Sequence, residues 1–165
     1  MRQSFLRLLP CLLLLWLTGC ASVAMMPAED DARAKSFAVR SDKANIYLYR
    51  NETFGAAISM TVSVNGMVAG QTASKTYFFW QVDPGVYEIS SITENTSTLK
   101  LNVESGKNYF VWQEVKMGLF MARSELQQVD EDTGRKGVAE SSLAETKYAQ
   151  PFKAGQPDEK QPPGK

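Results

Sequence analysis

TLKLNVESGKNYFVWQEV, residues 98–115, carries the clearest structural signal in the chain. Leu99, Leu101 and Val103 alternate with Lys100, Asn102 and Glu104. Successive side chains of a strand point to opposite faces, so this period of two reads as a half-buried strand. Ser105-Gly106-Lys107 then turns the chain into Tyr109, Val111, Gln113 and Val115, a second alternating run. A slip of one residue in register would reverse every side chain. The expectation is therefore that Leu99, Leu101 and Val103 are buried and that Lys100, Asn102 and Glu104 face water.

The same pattern extends upstream. ANIYLYR (44–50) sets Ala44, Ile46 and Leu48 against Tyr47 and Tyr49. MTVSVNGMVAGQ (60–71) places Asn65-Gly66 between two alternating runs. Asn-Gly is a strong hairpin signal, because a type I′ turn needs positive φ at both central residues. TYFFWQVDPGVYEISSIT (76–93) is two aromatic and β-branched runs around Asp83-Pro84-Gly85, where proline presets one turn dihedral and glycine relaxes the next. Residues 119–129 read as one more strand. Asp130 is placed to cap a short helix from Glu131 toward Ala144, since its carboxylate can accept amide hydrogens of the first turn. Gly134 and Gly137 weaken that helix by roughly 1 kcal/mol each relative to alanine. About seven short strands with turn signals every 8–12 residues predict an all-β, antiparallel β-sandwich with a short C-terminal helix. The absence of crossover helices between strands argues against a parallel α/β fold.

The ends of the chain differ in kind. Arg2 and Arg7 precede the apolar run Leu8–Leu17, and Thr18, Gly19 and Cys20 close it. Charged, apolar and small regions in that order read as a secretory signal peptide over residues 1–19. The apolar run is about half the roughly 20 residues that a membrane-spanning helix needs. Residues 20–41 are mostly small and charged and read as a tether, 42–146 as the sandwich domain, and 147–165, rich in Pro, Gly, Lys and Gln, as a disordered tail.

The junction Leu17-Thr18-Gly19-Cys20 resembles the lipobox of bacterial lipoproteins. That resemblance implies lipid on the Cys20 thiol, cleavage before it, and acylation of the new amino group. One acyl chain gives marginal anchoring and two or more make it stable. The resemblance also implies sorting, because Ala21 and Ser22 stand where an aspartate would hold a lipoprotein at the inner membrane. The expected location is the outer membrane of the bacterial envelope, facing the periplasm.

Composition narrows the chemistry. The chain has 165 residues with 18 basic and 18 acidic side chains. Residues 1–19 hold Arg2 and Arg7 and no acid, so the mature chain has 16 basic and 18 acidic side chains, net −2. Nucleic-acid binding would need a basic stripe, so no nucleic-acid partner is expected. Only Cys11 and Cys20 are present, and Cys11 lies in the signal, so a lipidated Cys20 leaves no intramolecular disulfide. There is no histidine, which removes Ser-His and Cys-His catalysis and the commonest metal ligand. Neither a cofactor nor a metal is expected. The sequons at Asn51 and Asn95 are read as turn residues.

The run IYLYR, VSVNG, an aromatic strand into DPGVYEIS, and LNVESGKNYFVWQEV resembles a bacterial family of small lipoproteins carrying a domain of unknown function. Its pattern is an IYVYR strand, a V-x-V-[DN]-G hairpin, a Y-F strand before PG, and E-x-G-K-x-Y-[FY]. The likeness spans roughly residues 42–130. It implies a small sandwich similar to transthyretin or carboxypeptidase-regulatory domains, with no established activity and no catalytic residues to carry over.

Three sequence patterns resemble catalytic motifs, and each has a plainer reading. Asp132-Thr133-Gly134 matches an aspartic-protease triplet but is flanked by Asp130, Glu131, Arg135 and Lys136, the composition of a solvated turn. Ser97-Thr98-Leu99-Lys100 matches S-x-x-K, but residues three apart in a strand face opposite ways. Asp83, Glu88, Glu94, Glu104 and Glu114 would need two carboxylates about 5–10 Å apart on one face to act as a glycosidase pair. No catalytic residue is assigned. The aromatic strand splits into Tyr77, Phe79 against Phe78, Trp80, so both faces are aromatic. One face must be core. The other is either core under the helix or tail, which is the commoner use of aromatics, or an exposed binding face with Tyr77, Phe79 and Trp112 as its candidates. The expected function is non-enzymatic binding or structure in the envelope, with the membrane as partner through Cys20 and an envelope protein or the cell wall as the other. The alternative is a hydrolase of cell-wall glycan or peptide.

Overall fold

The computed structural model describes residues 22–119 and 122–149. Within them the chain forms α1 (Ala28–Ala34), β1 (Ala44–Arg50), β2 (Met60–Val64), β3 (Met67–Thr72), β4 (Thr76–Val82) and β5 (Gly85–Ile92). It continues through β6 (Thr96–Val103), β7 (Asn108–Lys116), β8 (Arg123–Val129), α2 (Glu131–Ala139) and β9 (Ser142–Leu143). The strands make two sheets, ordered β8-β7-β1-β4-β9 and β3-β2-β5-β6. The expected all-β sandwich with a short C-terminal helix is the fold.

Two pairings depart from the antiparallel expectation. β1 runs parallel to β7, with Leu48 opposite Val111, and β4 runs parallel to β9. The cause is the chain path. β1, β4, β7 and β8 lie in one sheet and the β2–β3 and β5–β6 hairpins in the other, so β1 and β7 meet only after four crossings between the sheets. Turn signals report hairpins, and this neighbour is not one. β9 follows α2 in the region where the sequence suggested continued helix.

The decisive stretch behaves as its alternation requires. Leu101 and Val103 are buried and Lys100, Asn102 and Glu104 exposed. Leu99 is half-buried and packs against the main core, since β6 is an edge strand. Asn65 and Gly66 both take positive φ, 49° and 77°, as the type I′ turn demands. Between the sheets lie Ile46, Leu48, Val62, Val64, Phe78, Trp80, Ile89, Leu101 and Val111. Each such side chain contributes about 1.5–3 kcal/mol by leaving water.

Residues 22–41 are not a free tether where the structure describes them. Val23 packs against the main core, Met25 bridges to Ala144, and α1 lies on the outer face of the five-stranded sheet. Asp31 holds it there, its carboxylate accepting the Leu143 N–H at 2.8 Å. The folded body also extends past residue 146. Tyr148 is buried edge-on against Trp80, ring centroids 5.9 Å apart. The Trp80 indole N–H donates to the Thr146 hydroxyl at 3.0 Å, which donates to the Ala69 carbonyl at 3.0 Å. The expected signal peptide over residues 1–19, Cys20 and the part of the expected tail beyond residue 149 lie outside the described residues.

Candidate functional site

The proposed aromatic binding face is closed. Tyr77 is fully buried, Phe79 nearly so, and Trp112 half-buried. These side chains share the outer face of the five-stranded sheet with Tyr47, Tyr49 and Phe110. The Tyr47 ring stacks on Phe79 at 4.9 Å and on Phe110 at 5.1 Å. Both helices roof this layer. α1 accepts the Tyr47 hydroxyl on the Ala34 carbonyl at 2.9 Å. α2 begins at Asp130, whose carboxylate accepts the Thr133 N–H at 2.9 Å. It presents Gly134 and Gly137 to the rings. A Cβ at Gly134 would lie 2.1 Å from Phe110, and one at Gly137 would lie 2.0 Å from Tyr49. The two glycines that cost helix propensity are thus what lets the helix backbone rest on the aromatics. Burial pushes the Tyr49 phenol up to about 12 and raises those of Tyr47 and Tyr77 further, so all three stay neutral hydrogen-bond donors.

The unusual chemistry lies at the other end of the interior, where β1 leaves its sheet. Arg50 follows Ala44, Ile46 and Leu48 on the inward face and is fully buried. Its guanidinium donates to the carbonyls of Ile58 at 2.7 Å and Gly55 at 2.6 Å. It therefore pins loop 51–59 from beneath. Nε of Arg50 and Oε2 of Glu52 are buried without a hydrogen-bond partner among the described residues. Burial lowers the Arg50 pKa and raises the Glu52 carboxyl above its usual range, while each charge opposes the shift of the other. Glu52 also accepts the Val115 N–H at 3.4 Å.

Beside Arg50 a chain of buried polar side chains crosses the sandwich. Thr72 donates to Gln113 Oε1 at 2.6 Å, and Gln113 Nε2 donates to Ser91 at 2.7 Å. Ser91 meets the Ser124 hydroxyl at 2.7 Å. Asn95, in the β5–β6 turn, caps the Ser124 backbone through both N–H and carbonyl at 2.9 Å. This network ties β3, β5, β7 and β8 together and is satisfied from within, the condition under which buried polar groups give order rather than strain. Outside it the loops expose Phe54, Met117 and Leu119, and the end of β5 exposes Ile92; Met117 and Leu119 are each 81% exposed. The Leu119 N–H donates to Glu94 at 3.1 Å, holding the two hairpin tips side by side.

The sequence patterns for catalysis do not assemble. Ser97 accepts the Leu126 N–H between the sheets, while Lys100 stands on the exposed face beside Glu88. Asp132-Thr133-Gly134 forms the first turn of α2. Asp83, Glu88, Glu104 and Glu114 pair separately with Lys43, Lys100, Lys107 and Lys116. Among the described residues no three acidic or sulfur side chains converge as a metal site. Arg50 escaped the sequence reading although the alternation of its strand pointed it inward. Met117-Gly118-Leu119 also escaped it, an apolar run where a polar turn is usual.

Two sheets face to face, one roofed by short helices and one bare, define a small β-sandwich whose polar end is laced shut by its loops. The chain belongs to the family described as proteins of unknown function, DUF2846, whose model matches residues 40–125. That span runs from just before β1 into β8. The chain is similar to an uncharacterised protein of Haemophilus influenzae, 32% identical over 132 residues, 79% of each chain.

Proposed function

We propose that this chain is an envelope lipoprotein, held on the periplasmic side of the outer membrane by acylated Cys20, that acts by binding or as a structural element rather than by catalysis. One observation carries the non-catalytic half. Arg50, Gln113, Ser91 and Ser124, four of the polar side chains gathered at the loop end, are bonded to loop carbonyls or to each other. Side chains committed to holding loops are not free to attack a substrate or move its protons. Arg50 holds the loop that carries exposed Phe54, and Glu94 accepts the N–H of exposed Leu119, so the loop end presents apolar tips. The anchor rests on Leu17-Thr18-Gly19-Cys20, and the sorting on Ala21 and Ser22.

Metabolic palmitate labelling of wild type and Cys20→Ala tests the anchor, and density-gradient separation of envelopes tests the sorting. Label only in wild type, recovered with the outer membrane, is the expected outcome. Equal labelling, or recovery in the inner membrane, contradicts it. Incubation of the purified chain with isolated peptidoglycan tests the other half. Release of soluble fragments would contradict a binding role.

A further inference from the structure

We propose that the end of the sandwich formed by residues 22–24, residues 145–148 and the start of β3 lies against the bilayer that holds Cys20, leaving the loop end pointing away from it. The inference rests on the acylation of Cys20 and adds an orientation and a contact surface.

The folded body begins almost at the anchor. The Ala24 carbonyl accepts the Glu145 N–H at 2.8 Å, Met25 bridges to Ala144, and the Met26 N–H donates to the Leu143 carbonyl at 2.9 Å. Two peptide steps of about 3.8 Å separate Cys20 from Ser22, so their Cα atoms lie within about 7.6 Å. An acylated cysteine sits at headgroup level. A body attached that closely touches the headgroups with the edge from which its chain emerges.

β9 starts beside Thr76, near the loop end, and its continuation runs to Lys147, whose N–H donates to the Ala69 carbonyl at 2.7 Å. Residues 22–26 run antiparallel to it, so Ser22 emerges at the opposite end from Phe54, Met117 and Leu119.

Met67 is 56% exposed and Val68 54%, both beside the Asn65-Gly66 turn at the end from which Ser22 emerges, and exposed Ala24, Glu145 and Lys147 lie along the chain segments that lead there. Apolar side chains with a lysine that can reach back to headgroup phosphates suit a contact that enters the headgroup boundary by about 5–10 Å. The loop-end tips Met117 and Leu119, placed away from the anchor, remain open to the periplasm.

Nitroxide labels on Val68→Cys and Met117→Cys test the orientation. Both positions are exposed, and a lipidated Cys20 offers no competing thiol. The full chain, extracted from membranes, is reconstituted in vesicles of phosphatidylethanolamine and phosphatidylglycerol. Collision rates with oxygen, which concentrates in lipid, are compared with those of a water-soluble nickel chelate. The oxygen-to-nickel ratio is expected to be severalfold higher at position 68 than at 117. A ten-residue Gly-Ser insertion between Ala21 and Ser22 should bring the two ratios together. Equal ratios, or a higher ratio at 117, in a chain whose mass shows acyl groups overturns the orientation alone. A chain with no acyl group overturns the anchor, and the orientation with it.

Discussion

Gly137→Ala separates two opposed forces acting on α2. In an open helix the change would help, because alanine outranks glycine by about 1 kcal/mol in helix propensity. Here the new Cβ would lie 2.0 Å from Cε2, 2.5 Å from Cζ and 2.6 Å from Cδ2 of Tyr49. Carbon atoms in contact prefer roughly 3.5–4.0 Å, so helix or ring must move by about 1.5–2 Å. The ring has little room, since Tyr49 is buried with Tyr77 and Trp112 opposite it on neighbouring strands. Lifting the helix would instead expose Val138 and part of Phe110. Overpacking costs typically 1–3 kcal/mol, and a displacement this large belongs at the upper end, so after the propensity gain the net loss is about 2 kcal/mol. Urea melts of a soluble chain beginning at Ala21 measure it. With a slope of roughly 1–3 kcal/mol per molar, the midpoint should fall by about 1 M. Lys136→Ala, on the exposed face of the same helix, should barely move it. A higher midpoint for Gly137→Ala would mean that α2 does not rest on Tyr49, and that the aromatic face beneath it is accessible after all.

The same melts examine the core and its polar end. Leu101→Ala should cost about 2–5 kcal/mol through lost transfer energy and the cavity left, whereas Asn102→Ala should cost little. A larger loss for Asn102→Ala would contradict the β6 register. Glu52→Gln addresses the raised carboxyl. Its folded pKa lies above its unfolded one, so the native state holds the proton longer and stability falls as pH rises through that interval. The substitution should therefore stabilise more at pH 7 than at pH 4, and a gain confined to pH 4 would refute the assignment.

Much of the sandwich was legible because its strands carry local patterns. Leu101 and Val103 against Lys100 and Asn102, and Asn65-Gly66 between two runs, each report their conformation within a few residues. What escaped the reading depends on distant partners. Glu29, Asp30 and Asp31 suggested a solvated tether, yet acids also suit the first turn of a helix. Only the amide of Leu143 explains why Asp31 holds that helix down. Arg50 ended an inward-facing row, but a charge at the end of a strand reads as an exit from the core. Its burial depends on carbonyls of loop 51–59 that the sequence does not mark as acceptors. Tyr77 and Phe79 offered themselves as a binding face because alternation distributes aromatics to both sides and cannot say which side is roofed. The spacing of Gly134 and Gly137, read as weakness, was the trace of that roof.

Intact-mass spectrometry of the chain extracted from its own membranes tests the anchor most directly. The expected result is a mature chain that begins at Cys20 and carries the added mass of a diacylglyceryl group and an N-acyl chain, with Cys20→Ala left uncleaved and unmodified. A wild-type chain that begins at another residue, or that starts at Cys20 with a free thiol, would contradict it.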